Sequence, residues 1–148
     1  MSQYLDTCIP TGLFPDSLTS LTATFNKANQ PMIPNILPPN LTYLKIASHI
    51  SNLLMEPGFI PANVTKLSLH LMKYNQSLVE NVIPPSVKEL HIAIIPKENR
   101  NYNIPTSVKI IKYIGGKPLT QSMVPNRSID NILFIDYGFW KTQTCINN

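Results

Sequence analysis

The chain has 148 residues, a net charge of +4 and only 14% charged residues, the length of one domain. Its Lys and Arg are scattered with no basic run, which argues against a nucleic-acid groove. No apolar stretch reaches the roughly 20 residues that span a bilayer. The start, Met1-Ser2-Gln3-Tyr4-Leu5-Asp6, lacks the basic and apolar regions of a signal peptide, so an intracellular, cytoplasmic protein without a membrane partner is expected.

In chain order, residues 1–13 read as an N-terminal cap. A motif then begins, Phe14-Pro15-Asp16-Ser17-Leu18-Thr19-Ser20-Leu21. It returns at a fixed spacing as Leu37-Pro38-Pro39-Asn40-Leu41-Thr42-Tyr43-Leu44, and again as Ile60-Pro61-Ala62-Asn63-Val64-Thr65-Lys66-Leu67. A fourth copy keeps the spacing at Ile83-Pro84-Pro85-Ser86, and a fifth, Ile104-Pro105-Thr106-Ser107, comes two positions early. Further positions keep the register: Ala23, Ile46 and Leu69; Asn29, Asn52 and Asn75; Met32, Met55 and Leu78; Ile36, Phe59 and Val82. A fixed period of this size means a stack of like supersecondary units. The array is expected over residues 14–123. Residues 124–148 read as a degenerate repeat opening at Val124-Pro125, then an aromatic cap, Phe134-Ile135-Asp136-Tyr137-Gly138-Phe139-Trp140. The alternative for that aromatic stretch is a hydrophobic docking site.

Within a unit, Leu41-x-x-Leu44-x-Ile46 has the period of two that puts alternate side chains on one face of a strand. Proline fixes φ and lacks an N–H, so it suits the strand's entrance. The Ser or Asn after it is expected to bond its own backbone and hold a tight turn. One short strand and one irregular return loop per unit make a coil, and successive coils lay their strands side by side about 4.8 Å apart. The expected fold is therefore a mainly β repeat solenoid with a parallel sheet on one side. No unit can bury its apolar face alone, so neighbours must cover it. Asn29, Asn52 and Asn75 either ladder inside the stack or are exposed turn residues.

Residues between the inward leucines would line the outer face of the sheet in three columns: Ser20, Tyr43, Lys66, Glu89 and Ile110; Thr22, Lys45, Ser68, His91 and Lys112; Thr24, Ala47, His70, Ala93 and Ile114. Stacked repeats use such surfaces for recognition. The candidate partner-binding residues are Tyr43, Lys45, Lys66, Ser68, His70, Glu89, His91 and Lys112, with Tyr43 and the lysines as anchors.

Other features read as structure. Cys8 and Cys145 stand at opposite ends of the array, too far apart for a disulfide. His49, His70 and His91 are evenly spaced, but at two positions less than the repeat. They therefore occupy different positions in their coils and form no metal column. Gly115-Gly116-Lys117 lacks the spacing of a phosphate loop. Asn-x-Ser/Thr sequons at Asn40, Asn63, Asn75 and Asn126 carry no expectation of glycosylation in a chain without a secretion signal. No catalytic cluster, cofactor site or metal site is expected.

The motif resembles the FNIP repeat family, a leucine-rich-repeat-like group. The resemblance rests on Tyr74-Asn75-Gln76-Ser77-Leu78 before Ile83-Pro84-Pro85-Ser86-Val87-Lys88-Glu89-Leu90, on Asn29-Gln30-Pro31 before Leu37-Pro38-Pro39-Asn40-Leu41-Thr42, and on Tyr102-Asn103-Ile104-Pro105. It covers residues 14–114 approximately, and departs from the pattern at Ala28 and Ser51, where the family has an aromatic. The family is known from amoebae and large DNA viruses that infect them, and members often carry an F-box ahead of the repeats. The stretch ahead of the first unit here, Met1 to Leu13, is too short for that domain. The resemblance implies a non-enzymatic protein–protein interaction module. The alternatives are a substrate adaptor that joins ubiquitin-ligase components through an F-box on another chain, and a structural or virion component.

Overall fold

A computed structural model describes residues 1–5, 9–10, 12–25, 32–49, 53–114, 119–128 and 133–134. The chain is a β-solenoid. Its strands are β1 (Ser2–Leu5), β2 (Ser20–Phe25), β3 (Tyr43–Ser48), β4 (Lys66–Leu71), β5 (Glu89–Ile94), β6 (Ile110–Ile114) and β7 (Leu133–Phe134). They form one sheet in sequence order, every neighbouring pair parallel. The register matches the repeat: Leu21, Leu44, Leu67, Leu90 and Ile111 stand side by side, as do Ala23, Ile46, Leu69, Ile92 and Tyr113.

Both columns are fully buried and form the spine of the core. The return loops supply its other wall through Leu41, Met55, Phe59, Val64, Leu78 and Tyr102. Burying one such side chain is worth about 2 kcal/mol, so the stack holds through many like layers. The return side also carries bridges, Met32 to Met55 and Leu78 to Tyr102, both parallel. Here the Met32 N–H donates to the Leu54 carbonyl at 2.7 Å and the Leu78 N–H to the Asn101 carbonyl at 2.9 Å.

Each proline motif makes one tight turn. The Pro15, Pro38, Pro61, Pro84 and Pro105 carbonyls accept from the N–H three residues on, at 3.0–3.4 Å. The Asn or Ser side chain, expected to close this turn, does something else. Asn40 Nδ2 donates to the Asp16 carbonyl, Asn63 Nδ2 to Pro39, Ser86 Oγ to Val64 and Ser107 Oγ to Val87. Every one of these acceptors lies in the preceding coil. The backbone already closes the turn, so the side chain is left to staple coil to coil. Arg127, two residues after Pro125, holds the same position in the sixth coil. Its Nη1 donates to the Val108 carbonyl at 2.9 Å and to Pro105 at 3.4 Å.

A second turn precedes each of the first four proline motifs. Gly12, Asn35, Gly58 and Asn81 all have positive φ, between 61° and 85°, and are one repeat apart. In the third coil the Phe59 N–H returns to the Glu56 carbonyl at 3.1 Å, with Pro57 and Gly58 between. That is the residue order of a type II turn, which needs φ above zero at its third position. The fifth unit deletes this turn. Leu78 lies five residues before Ile83, but its neighbour Tyr102 lies only two before Ile104. Tyr102 therefore sits beside Leu78, not in the place of Tyr74. The run Tyr102-Asn103-Ile104-Pro105 is a junction left by the deletion and not a structural copy of Tyr74-Asn75.

Asn29, Asn52, Cys8, Cys145, residues 115–117 and residues 135–148 lie outside the described residues. Asn75 is half-buried, and its Oδ1 accepts from Gln76 Nε2 at 3.1 Å. No helix among the described residues is long and apolar enough to cross a membrane.

Candidate partner-binding face of the sheet

The three outer columns stand in register as the repeat requires. Tyr43 pairs with Lys66 and Lys66 with Glu89; Lys45 pairs with Ser68, Ser68 with His91 and His91 with Lys112; Ala47 pairs with His70. Alternation along each strand sends these residues away from the core. Tyr43, Lys45, Lys66, His70, Glu89, His91 and Lys112 are all half-exposed. Ser68 is the exception at 3% exposed. It is short and stands between the longer Lys45 and His91 on neighbouring strands, so it is a floor of the face and not an accessible contact.

Charge on the face is organised around Glu89. Its Oε1 receives His91 Nε2 at 2.6 Å and the ammonium groups of Lys66 and Lys112, each at 3.3 Å. The hydrogen bond from His91 does most to hold the Glu89 carboxyl far below its ordinary 4.5, at about 2; burial opposes the shift and both lysines add to it. His70 lies beside this cluster without joining it. Burial, and then the charges of Lys45 and His91, push its pKa below the ordinary 6.5, so at neutral pH its imidazole is uncharged.

Lys66 and Glu89 are register partners, so the repeat spacing alone points to that pair. Lys112 is harder to place from sequence. It stands beside His91 and reaches Glu89 diagonally, from two residues beyond Glu89's own partner Ile110, a contact that the register alone does not name. Among the described residues no three His, Cys, Asp or Glu side chains are grouped to hold a metal ion. His49 is exposed beyond β3, away from the pair on β4 and β5.

A groove of about 570 Å³ runs along the turns of neighbouring coils, lined by Gly58, Pro61, Ala62, Asn63, Pro84 and Pro85 among others. Its walls are apolar rings and amides, and no lining residue is titratable. It offers packing surface and hydrogen bonds but no acid, base or nucleophile.

The FNIP Repeat family model matches residues 29–72, a stretch that contains β3, β4 and two of the proline turns. Residues 29–72 therefore carry the FNIP repeat. Among curated proteins and among solved structures, nothing matches it. The FNIP match falls on the coils that bear Tyr43, Lys45, Lys66 and His70.

Proposed function

We propose that this FNIP-repeat chain is a non-enzymatic recognition module that docks another protein on the outer face of its sheet. The observation that carries the reading is the open face itself. Parallel sheets are normally covered on both sides. Here the return loops cover one side, and the other presents Tyr43, Lys45, Lys66, His70, Glu89, His91 and Lys112 across four adjacent strands. A flat array of an aromatic and several long polar side chains suits protein recognition, in which a few anchors carry most of the affinity. The module is proposed to act in the cytoplasm.

The test compares wild type with a Tyr43→Ala, Lys45→Glu variant whose circular dichroism is native. Proteins enriched from lysate by wild type are purified and titrated against both. The expected result is a partner that binds wild type directly and loses about 1 kcal/mol or more with the variant. Equal binding to both would move the site elsewhere, with residues 134–140 next to be tried. Enrichment of ubiquitin-ligase subunits would point to the adaptor role.

A further inference from the structure

Among the described residues the carboxylates are nearly excluded from the outer sheet face, whereas cations stand both on it and, as Lys73, Lys97, Arg100 and Arg127, off the strands. Lys45, Lys66 and Lys112 project from the outer sheet face, and Lys88 and Lys109 stand at its leading edge, one residue before β5 and β6. Of the described carboxylates, Asp16, Glu56, Glu80 and Glu98 sit in turns and return loops, off the strands. Glu89 alone among them lies on the face. One carboxylate cannot neutralise three ammonium groups, so the face keeps a net positive charge even with both histidines neutral.

We infer that the outer face is a receptor for an acidic protein segment laid across β3 to β6, held through Lys45, Lys66 and Lys112. This rests on the recognition reading above and names the chemistry of the partner. The three lysines lie on strands β3, β4 and β6, a span of three strand intervals or roughly 14 Å. An extended peptide rises about 3.3 Å per residue, so four or five residues cover it. Alternate carboxylates would point down at the ammonium groups, and Tyr43 beside Lys66 offers a ring for the segment to lie against.

Glu89 is the internal competitor. It already holds Lys66 and Lys112 at 3.3 Å each, so an incoming carboxylate must share them. The arrangement fixes the lysine side chains in advance, which lowers the ordering cost of binding. It also weakens the attraction, because part of the positive charge is already neutralised. Removing the Glu89 charge should therefore tighten acidic binding, an effect that shape complementarity alone would not produce.

The probe is a rhodamine-labelled peptide of alternating Glu and Ser, titrated by fluorescence anisotropy with the full chain at low and at physiological salt. The expected pattern has four parts. The Glu/Ser peptide binds, and a Gln/Ser peptide of equal length binds far more weakly. Lys45→Glu weakens binding about five-fold or more, while Lys97→Glu, the same charge change in a return loop, leaves it unchanged. Glu89→Gln tightens it about two-fold or more, and salt weakens it throughout. Circular dichroism checks that each variant is folded. Equal binding of the Gln/Ser peptide, equal weakening by Lys97→Glu, or weaker binding by Glu89→Gln would each overturn the inference. So would tighter binding of an oligo-dT of the same charge, which would make the face a nucleic-acid surface. If no acidic peptide binds but the Tyr43→Ala, Lys45→Glu variant still loses a captured partner, the recognition reading stands and the acidic segment falls.

Discussion

Asn63 Nδ2 donates to the Pro39 carbonyl of the preceding coil at 2.9 Å. The same position is Asn40 one coil earlier, which reaches the equivalent carbonyl of Asp16, and Ser86 one coil later, whose shorter side chain reaches back to Val64 instead. A hydrogen bond of this kind adds about 0.5–1.5 kcal/mol. Asn63→Ala should lower the unfolding free energy by about 1 kcal/mol in urea titration. Asn63→Ser, which keeps a donor already used by other coils, should lose less. If the two variants are equally weakened, the staple is not the source of the effect.

Gly58 has φ of +85°, and a Cβ there would meet Pro34 Cβ of the coil below at 3.3 Å. Gly58→Ala combines a strained backbone with a tight contact and should cost about 1 kcal/mol or more. Asn81 sits in the equivalent turn of the next coil with φ of 63°. Asn81→Gly should be neutral or stabilising by up to about 1 kcal/mol, since glycine takes that conformation without penalty. Thermal unfolding checks the assignment: the midpoint should fall in Gly58→Ala and hold or rise in Asn81→Gly.

The Glu89 carboxyl is depressed from 4.5 to about 2. Its folded pKa lies below its unfolded one, so its contribution is full above about pH 4.5 and fades as pH falls towards 2. Surface pairs contribute up to about 1 kcal/mol each, and Glu89 is 24% exposed, so the whole effect is of that order. Stability measured from pH 6 to pH 2 should fall less steeply in Glu89→Gln than in wild type. Parallel curves would mean that the three donors do not act on this carboxylate in solution.

Leu67 is fully buried between Leu44 and Leu90. Leu67→Ala leaves a cavity that two rows of neighbours share and should cost about 3 kcal/mol. Because each coil is held by its neighbours, the loss should appear as a lower midpoint for the whole array. A change below about 1 kcal/mol in urea titration would mean that the stack closes over the gap.

Much of this fold was legible because a solenoid writes its tertiary contacts as a period. Leu44 and Leu67 are one repeat apart in sequence and one strand apart in space, so counting along the chain located the sheet, its register and its two faces. The columns through Tyr43, Lys66 and Glu89 followed from the same count. The second turn was equally periodic at Gly12, Asn35, Gly58 and Asn81, with Pro57 ahead of Gly58 as a further signal. That period is hidden from hydrophobic patterning because Gly and Asn share a backbone preference and not a hydrophobicity.

By itself, then, the sequence determined the coil: its length, its apolar spine, its proline turn and the residues left facing out. Tertiary structure alone decided what depends on how one coil sits on the next. It turned Asn40, Asn63 and Ser86 away from their own turns and towards the preceding coil. It buried Ser68 beneath Lys45 and His91, and gathered Lys66, His91 and Lys112 on one oxygen of Glu89. The reason is range. Periodicity specifies position within a coil to one residue. A hydrogen bond or ion pair needs its atoms within about 3–4 Å, and that distance is set by how whole coils stack and how long side chains reach diagonally between strands.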